Sequence, residues 1–156
     1  MPTSFFQRIK VFISYPGRDG LIIAEKLAAI LKQAGHKVWL YESNKTWGSP
    51  TWREISVCIT DRSDAFIYVC TACSLGSRGQ ELEAGYALDE PRVKPLVLII
   101  NGAMVPPELR GLNRENVRMT ELKERLEGVV RNLPVTVKRI QRLERAVKAK
   151  ATRAIS

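Results

Sequence analysis

Short apolar segments alternate along the chain with longer segments in which apolar residues recur at helical spacing. The apolar segments are rich in β-branched and aromatic residues, as buried strands are, and they cover residues 9–14, 37–41, 65–70 and 96–100. Residues 116–119 predict a fifth, shorter strand. The spacing of Ile23, Leu27 and Leu31 predicts a helix over residues 21–34, preceded by a loop rich in Pro and Gly.

Further helices are predicted after the second, third and fifth strands, the last of them running from Thr120 to about Asn132. Because strands alternate with helices and the crossovers are long enough for parallel pairing, we expect a doubly wound α/β domain. Such a sheet places its functional site at the carboxyl ends of the strands. Three polar segments follow the predicted strand ends there, at residues 15–20, 42–50 and 71–80.

The end of the chain differs in charge from the rest. Pro134 predicts a break, so we expect a domain that ends at residue 133 and a separate basic helix over residues 134–156. Residues 135–156 carry seven Lys or Arg against one Glu, which is +6 of the total charge of +9. Val137, Ile140 and Val147 belong to a narrow apolar stripe on this helix. The stripe favours packing on the domain or on a protein partner, or a linker role, over binding to nucleic acid or a membrane surface.

Composition and motifs exclude several classes of protein. A chain of 156 residues fits one domain, and its apolar runs fall far short of the roughly 18 residues that a membrane span needs. The first residues lack the pattern of a secretory signal, so we expect a cytoplasmic protein. The three cysteines are expected to be small core residues, and the single histidine, His36, a structural one. We therefore expect no metal site, and the chain has neither GxGxxG nor a Walker A motif.

Four short motifs occur in a specific order. They are Val11-Phe12-Ile13-Ser14-Tyr15 with Asp19 beyond, Gly48-Ser49 before a helix, Ser63-Asp64-Ala65-Phe66-Ile67-Tyr68-Val69, and Ser74, Ser77, Glu83 and Ala87 ahead of Lys94-Pro95-Leu96-Val97. Together they resemble a TIR (Toll/interleukin-1 receptor) domain over roughly residues 7–133. The resemblance implies a flavodoxin-like fold with a five-stranded parallel sheet and helices on both faces. It also identifies residues 42–50 as the BB loop, through which many TIR domains self-associate.

Many TIR domains cleave NAD at the bond between nicotinamide and ribose, using a glutamate in the helix after the third strand. The resemblance assigns that catalytic role to Glu83, which follows Ser77 by six positions and precedes Ala87 by four. A carboxylate suits this chemistry, because nicotinamide leaves without a general acid and the transition state resembles an oxocarbenium ion. Glu81 lies about 200° from Glu83 around a helix, so only one of them can point into the cleft. Glu81 is then expected to be a surface charge near the start of the helix.

The remaining residues predicted to bind substrate surround this glutamate: Tyr15, Arg18, Trp47, Ser49 and Ser77. Gly79 stands where many catalytic TIR domains have an aromatic residue, and Trp47 or Tyr15 could supply that ring instead. NAD would be a substrate, so no cofactor is expected. Resembling proteins often act in immunity, antiviral defence or cell-death signalling. Two alternatives are a non-catalytic adaptor that acts by contacts between TIR domains, and an enzyme similar to nucleoside deoxyribosyltransferases. The sequence leaves open whether hydrolysis to ADP-ribose or formation of a cyclic isomer would dominate.

Overall fold

The sheet of this protein has five parallel strands. The structure, a computed structural model, describes residues 8–40 and 52–155. The strands are β1 (Lys10–Ser14), β2 (Lys37–Leu40), β3 (Ala65–Cys70), β4 (Pro95–Ile100) and β5 (Arg114–Val117), in the spatial order β2-β1-β3-β4-β5. β3 and β4 are buried at every position, because helices cover both of their faces. The predicted doubly wound α/β fold is confirmed.

Among the described residues, four α-helices pack on the sheet: α1 (Gly17–Gln33), α2 (Trp52–Val57), α3 (Arg78–Asp89) and α4 (Leu122–Ile155). A wider helical turn, Cys58–Arg62, follows α2 directly. Alternate residues of β1 face opposite sides of the sheet. Val11 and Ile13 belong to the core layer that also contains residues of α1 and α4, whereas Phe12 belongs to the layer with α2 and α3. The side chain of Ser14 shares the second side, since it is two residues beyond Phe12.

The strand register brings the end of β1 beside the middle of β3. Ser14 lies opposite Tyr68, and β3 continues for two further residues to Cys70. β2 lies on one side of β1 and β3 on the other, so the chain after β1 and the chain after β3 leave the sheet in different directions. That point is the topological switch of the fold, where a crevice forms between the loops. The sequence therefore predicts a site at this edge that is formed by the loops after β1, β2 and β3.

The first helix begins earlier than the sequence indicates. The predicted loop over residues 15–20 is wrong from residue 17 onward, because α1 begins at Gly17. Pro16 occupies the N-cap, where the missing N–H costs nothing, and Asp19 in the first turn interacts favourably with the helix dipole. Gly20 packs against this turn so closely that an added Cβ would lie 2.6 Å from Cδ of Pro16. A glycine is therefore required for the tight connection between β1 and α1.

The predicted break at Pro134 is also wrong, because α4 continues through it as one helix of 34 residues. A proline within a helix costs about 3 kcal/mol. Leu133 and Val137 are 1% and 3% exposed on either side of it, and each such burial contributes about 1.5–3 kcal/mol. Packing on the sheet thus outweighs the local preference. No structural finding tests the domain boundary at residue 133, which stays a prediction.

The cysteines differ in environment. All three are free thiols; Cys58 and Cys70 are buried, as expected, but Cys73 is exposed in the loop after β3, where the core-residue prediction fails. His36 is buried, and its Nδ1 accepts a hydrogen bond of 3.0 Å from the backbone N–H of Ile9. Burial lowers the pKa of this imidazole below 6.5. Within the described ranges, no helix has the length and apolar character that crossing a membrane requires.

Candidate functional site

Helix α3 begins at the carboxyl edge of the sheet, directly after β3. Ser77 is its N-cap, and the hydroxyl oxygen accepts a hydrogen bond of 3.2 Å from the backbone N–H of Gln80. This cap satisfies one of the N–H groups that a helix start leaves without a partner. It also fixes the direction in which α3 leaves the loop. Ser77 is therefore the helix cap, and its predicted role in binding substrate stays a prediction.

Glu83 lies in the second turn of α3 and faces the sheet. Its side chain is 8% exposed, and the hydroxyl of Ser14 donates a hydrogen bond of 2.8 Å to Oε1. The two residues are 69 positions apart in sequence, and both lie where β1 reaches the crevice. Glu81, two positions earlier, is exposed, as the helical phase predicts. The structure thus separates one sheltered, oriented carboxylate from one on the surface.

Gln80 joins the two central strands at the same edge. Its side chain is 1% exposed, and Nε2 donates to the carbonyl oxygens of Ser14 and Val69, at 3.2 and 2.9 Å. These carbonyls belong to the ends of β1 and β3, the strands on either side of the switch point. Oε1 of the same side chain is buried and has no hydrogen-bond partner in the part of the chain that the structure describes. Gln80 therefore clamps the backbone from which Ser14 reaches Glu83.

An aromatic ring lies one helical turn before the buried carboxylate. A Cβ built on Gly79 would lie 3.8 Å from Cη2 of Trp52, so the indole rests against this glycine. Gly79 and Glu83 are four residues apart and share one face of α3. Trp52 begins α2 and remains 39% exposed. An accessible aromatic surface therefore lies beside the face of α3 that carries Glu83.

Cavities lined by described residues flank the carboxyl edge. One, of about 190 Å³, is lined by Tyr68, Ser74 and Glu81 together with the segment around Pro107. Burial raises the pKa of the Tyr68 phenol far above its usual range, so this hydroxyl stays protonated. The hydroxyl of Ser74 caps the turn after β3 by accepting a hydrogen bond of 2.9 Å from the backbone N–H of Thr71. This polar lining continues the loop that leads into α3.

The second cavity, of about 280 Å³, lies on the side of α1 and is lined by Asp19, Thr71 and Asn101 among others. The hydroxyl of Thr71 donates a hydrogen bond of 2.6 Å to the Asp19 carboxylate. Interaction with the Asp19 carboxylate is also the main cause of the raised pKa of the Cys73 thiol. Asp19 therefore ties the start of α1 to the loop after β3.

The other predicted site residues are not all brought to Glu83. Tyr15 is 5% exposed and packs in the core layer with α1 and α4, on the opposite side of the sheet from Ser14 and Glu83. Arg18 lies in the first turn of α1, and the structure does not describe its side chain. Trp47, Ser49 and the whole BB loop, residues 42–50, lie outside the described residues. Their predicted roles, and that of Tyr15, stay predictions.

Sequence reasoning missed three residues of this edge as site residues. The position of Ser14 could have been predicted. Side chains alternate between the two faces of a strand, so Ser14 at the end of β1 must lie on the same face as Phe12. Gln80 and Trp52 carry none, since their roles depend on contacts with other elements of the fold. Among residues 8–40 and 52–155, no group of three His, Cys, Asp or Glu side chains could hold a metal ion.

Comparison with known proteins identifies the family. The TIR domain of the Toll-related receptor TRR-2 from Hydra magnipapillata is 19% identical, with a TM-score of 0.61, over 82% of this chain and 97% of that one. The diflavin flavoprotein A3 from Nostoc sp. is 18% identical, with a TM-score of 0.53, over 89% and 97%. Both likenesses concern the fold. None of the curated proteins matches the chain. The family model for the TIR domain matches residues 11–133, most of the chain, and the protein therefore belongs to the TIR domain family.

Proposed function

We propose that this TIR domain is an NAD+ nucleosidase in which Glu83 is the catalytic residue. The observation that carries the proposal is the Glu83 carboxylate itself, 8% exposed and held by Ser14 at the carboxyl edge of the sheet. A solvated charge on the surface of a helix needs neither shelter nor a partner from another strand. Burial of a carboxylate is costly and is retained where its charge has a use.

The proposed reaction breaks the bond between the nicotinamide nitrogen and C1 of the ribose. The ring leaves as neutral nicotinamide because its nitrogen is already cationic in NAD, and positive charge develops on the ribose. A carboxylate bonded to the ribose hydroxyls stabilises that charge, and the sheltered position of Glu83 strengthens the interaction. Ser14 fixes the carboxylate so that little reorganisation is needed as the charge forms.

The polar and aromatic surroundings support the same reaction. Trp52 offers a flat apolar surface beside Gly79, against which a nicotinamide or adenine ring can stack. The start of α3 lies at the carboxyl edge, and the N-terminus of a helix favours negative charge such as that of a pyrophosphate. Water or an atom of the adenine ring would then capture the ribosyl cation, giving ADP-ribose or a cyclic isomer.

The test is release of nicotinamide from NAD by the purified chain, with products separated by chromatography. Glu83→Gln should lower turnover by at least about 100-fold, because it removes the charge while the amide oxygen can still accept the Ser14 hydrogen bond. The matched control is Glu81→Gln, which makes the same change at an exposed position of α3 and should retain full activity. Equal activity of Glu83→Gln and the unmodified chain would exclude the proposed role.

Protein concentration is the second variable in this test. We propose that the BB loop, residues 42–50, mediates self-association that completes the site, so activity per molecule should rise with concentration. No nicotinamide release at any concentration would favour a non-catalytic adaptor. Base exchange on a deoxynucleoside, with no reaction of NAD, would favour a deoxyribosyltransferase-like enzyme. In either case the NAD+ nucleosidase proposal fails.

A further inference from the structure

The last part of α4 carries an apolar stripe that the other described residues of the domain do not cover. Leu133, Val137 and Ile140 pack on the domain with spacings of four and three residues, and they are at most 7% exposed. The same spacing continues through Glu144, Val147, Ala151 and Ala154. Val147 is 63% exposed, and Leu143, next to the stripe, is 56% exposed. We call residues 141–154 the distal segment.

The distal segment lies far from the candidate site. A helix of 34 residues is about 51 Å long, whereas a strand of six residues spans about 20 Å. α4 begins after the carboxyl end of β5 and runs back along the sheet. Its distal segment faces the turn Pro91–Val93, which precedes the amino end of β4. The stripe is therefore at the opposite edge of the sheet from Glu83.

A groove of about 620 Å³ runs between the distal segment and this turn. Pro91, Val147 and Ala151 contribute apolar surface. Charged side chains also line the groove: Glu90, Arg92, Glu144, Arg145 and Lys148. The groove is concave and mostly apolar, which suits an inserted row of side chains. A flat lipid surface fits it less well, and the stripe has no aromatic residue of the kind that anchors helices in membrane interfaces.

The charge of the distal segment indicates which kind of partner would occupy the groove. The distal segment carries five Lys or Arg and one Glu. That acid, Glu144, already forms an ion pair of 3.9 Å with Lys94, so the segment presents cationic surface. If the residues of the stripe take the a and d positions of a heptad repeat, Lys148 and Lys150 take the e and g positions on either side of the apolar seam. Both lysines are exposed. Flanking charges of this kind select the partner helix.

We propose that the distal segment is a docking surface for an acidic amphipathic helix of another protein. The partner's apolar face would cover Val147 and Ala151, and its Glu or Asp residues would pair with Lys148 and Lys150. A second copy of this chain fits poorly, because two segments of the same strong positive charge would be brought together. The proposal does not depend on cleavage of NAD.

The test uses two labelled peptides of three heptads each, both with Leu at the seam positions, one with Glu and the other with Lys at the flanking positions. Fluorescence anisotropy with the full chain at low salt should show binding of the acidic peptide at least tenfold tighter than of the basic one. Binding should weaken as salt rises. Exchange of both lysines, Lys148→Glu with Lys150→Glu, should reverse the preference between the peptides.

The matched variants are Val147→Glu and Val135→Glu. Both valines are highly exposed on α4, at 63% and 69%, but Val135 lies away from the seam. The first change should weaken binding of the acidic peptide at least tenfold and the second less than twofold, with helix content unchanged by circular dichroism. Equal binding of the two peptides, or equal effects of the two substitutions, would overturn the proposal. Tighter binding to phosphatidylserine vesicles or duplex DNA, or self-association lost in Val147→Glu, would overturn it in favour of that other occupant.

Discussion

The Gln80 clamp between β1 and β3 gives the sharpest prediction for the stability of the fold. Gln80→Met keeps the length and helix preference of the side chain but removes both donated hydrogen bonds. Each such bond contributes about 0.5–1.5 kcal/mol net, and a buried carbonyl left without a partner costs about 1–3 kcal/mol. The carbonyl of Val69 keeps a bond of 3.3 Å from the Ser74 hydroxyl, so that carbonyl is not left without a partner.

An opposing effect reduces this loss. Oε1 of Gln80 is buried and has no hydrogen-bond partner among residues 8–40 and 52–155, so methionine would remove the cost of burying it. The two effects together give a net destabilisation of about 1–3 kcal/mol. For a chain of this size the unfolding temperature should fall by roughly 3–9 °C.

Urea unfolding followed by circular dichroism measures this difference directly, and an unchanged slope would show that only stability has changed. Glu81→Gln is the control, because it lies beside Gln80 on α3 but is exposed and should change stability by less than about 0.5 kcal/mol. Equal stability of Gln80→Met and the unmodified chain would contradict the stabilising role of the two bonds that Gln80 donates. The unsatisfied oxygen would then outweigh both donated bonds, and Gln80 would not clamp the two strands.

Three further predictions address other parts of the molecule. Gly20→Ala should destabilise the chain by about 1–3 kcal/mol in urea unfolding, because the new Cβ would meet the ring of Pro16; an unaffected midpoint would show that the turn can relax. Trp52→Ala should raise KM for NAD at least about fivefold while Trp52→Phe stays near the unmodified value, and equal KM values for both would rule out ring stacking. The pKa of His36 is lowered by burial, so the unfolded chain binds a proton more readily and the free energy of unfolding should decrease as pH falls from about 7 to 5. His36→Gln should lose that part of the pH dependence, and an identical pH profile would contradict this origin.

The pattern of the sequence predicts the sheet well because its signals are local. Each strand is a short apolar run and each helix a periodic one, and the alternation of the two leaves few topologies for a parallel sheet. The separation of Glu81 from Glu83 is local as well, since helical phase alone assigns them to different directions. The position of Glu83 in the motif selects it as the inward one, and the structure has Glu83 buried and Glu81 exposed.

The errors arise where packing overrides a local signal. Pro134 predicts the end of a helix, but α4 continues through it. The Pro and Gly content of residues 15–20 predicts a loop, but α1 already begins at Gly17. At Pro134 the burial of Leu133 and Val137 against the domain keeps the helix continuous. That burial depends on the tertiary structure and cannot be read from the local sequence. Contacts of Gln80 with the ends of two strands are likewise invisible, because they join positions 11 and 66 residues apart.

The pairing of Gly79 with Trp52 shows how a departure from a family pattern can carry information. By sequence, Gly79 marks the absence of an aromatic residue one turn before Glu83. In the structure the missing side chain leaves room for the indole of Trp52, which comes from α2 and rests against the glycine. A large residue at position 79 would have to displace that ring. The position of the ring and the absence of a side chain at Gly79 therefore depend on each other. Gly79→Trp alone should not improve NAD binding. Gly79→Trp combined with Trp52→Ala should restore much of the NAD binding that Trp52→Ala loses. Measurement of KM for the two single variants and the double variant tests this coupling, and additive effects would show that the two positions act independently.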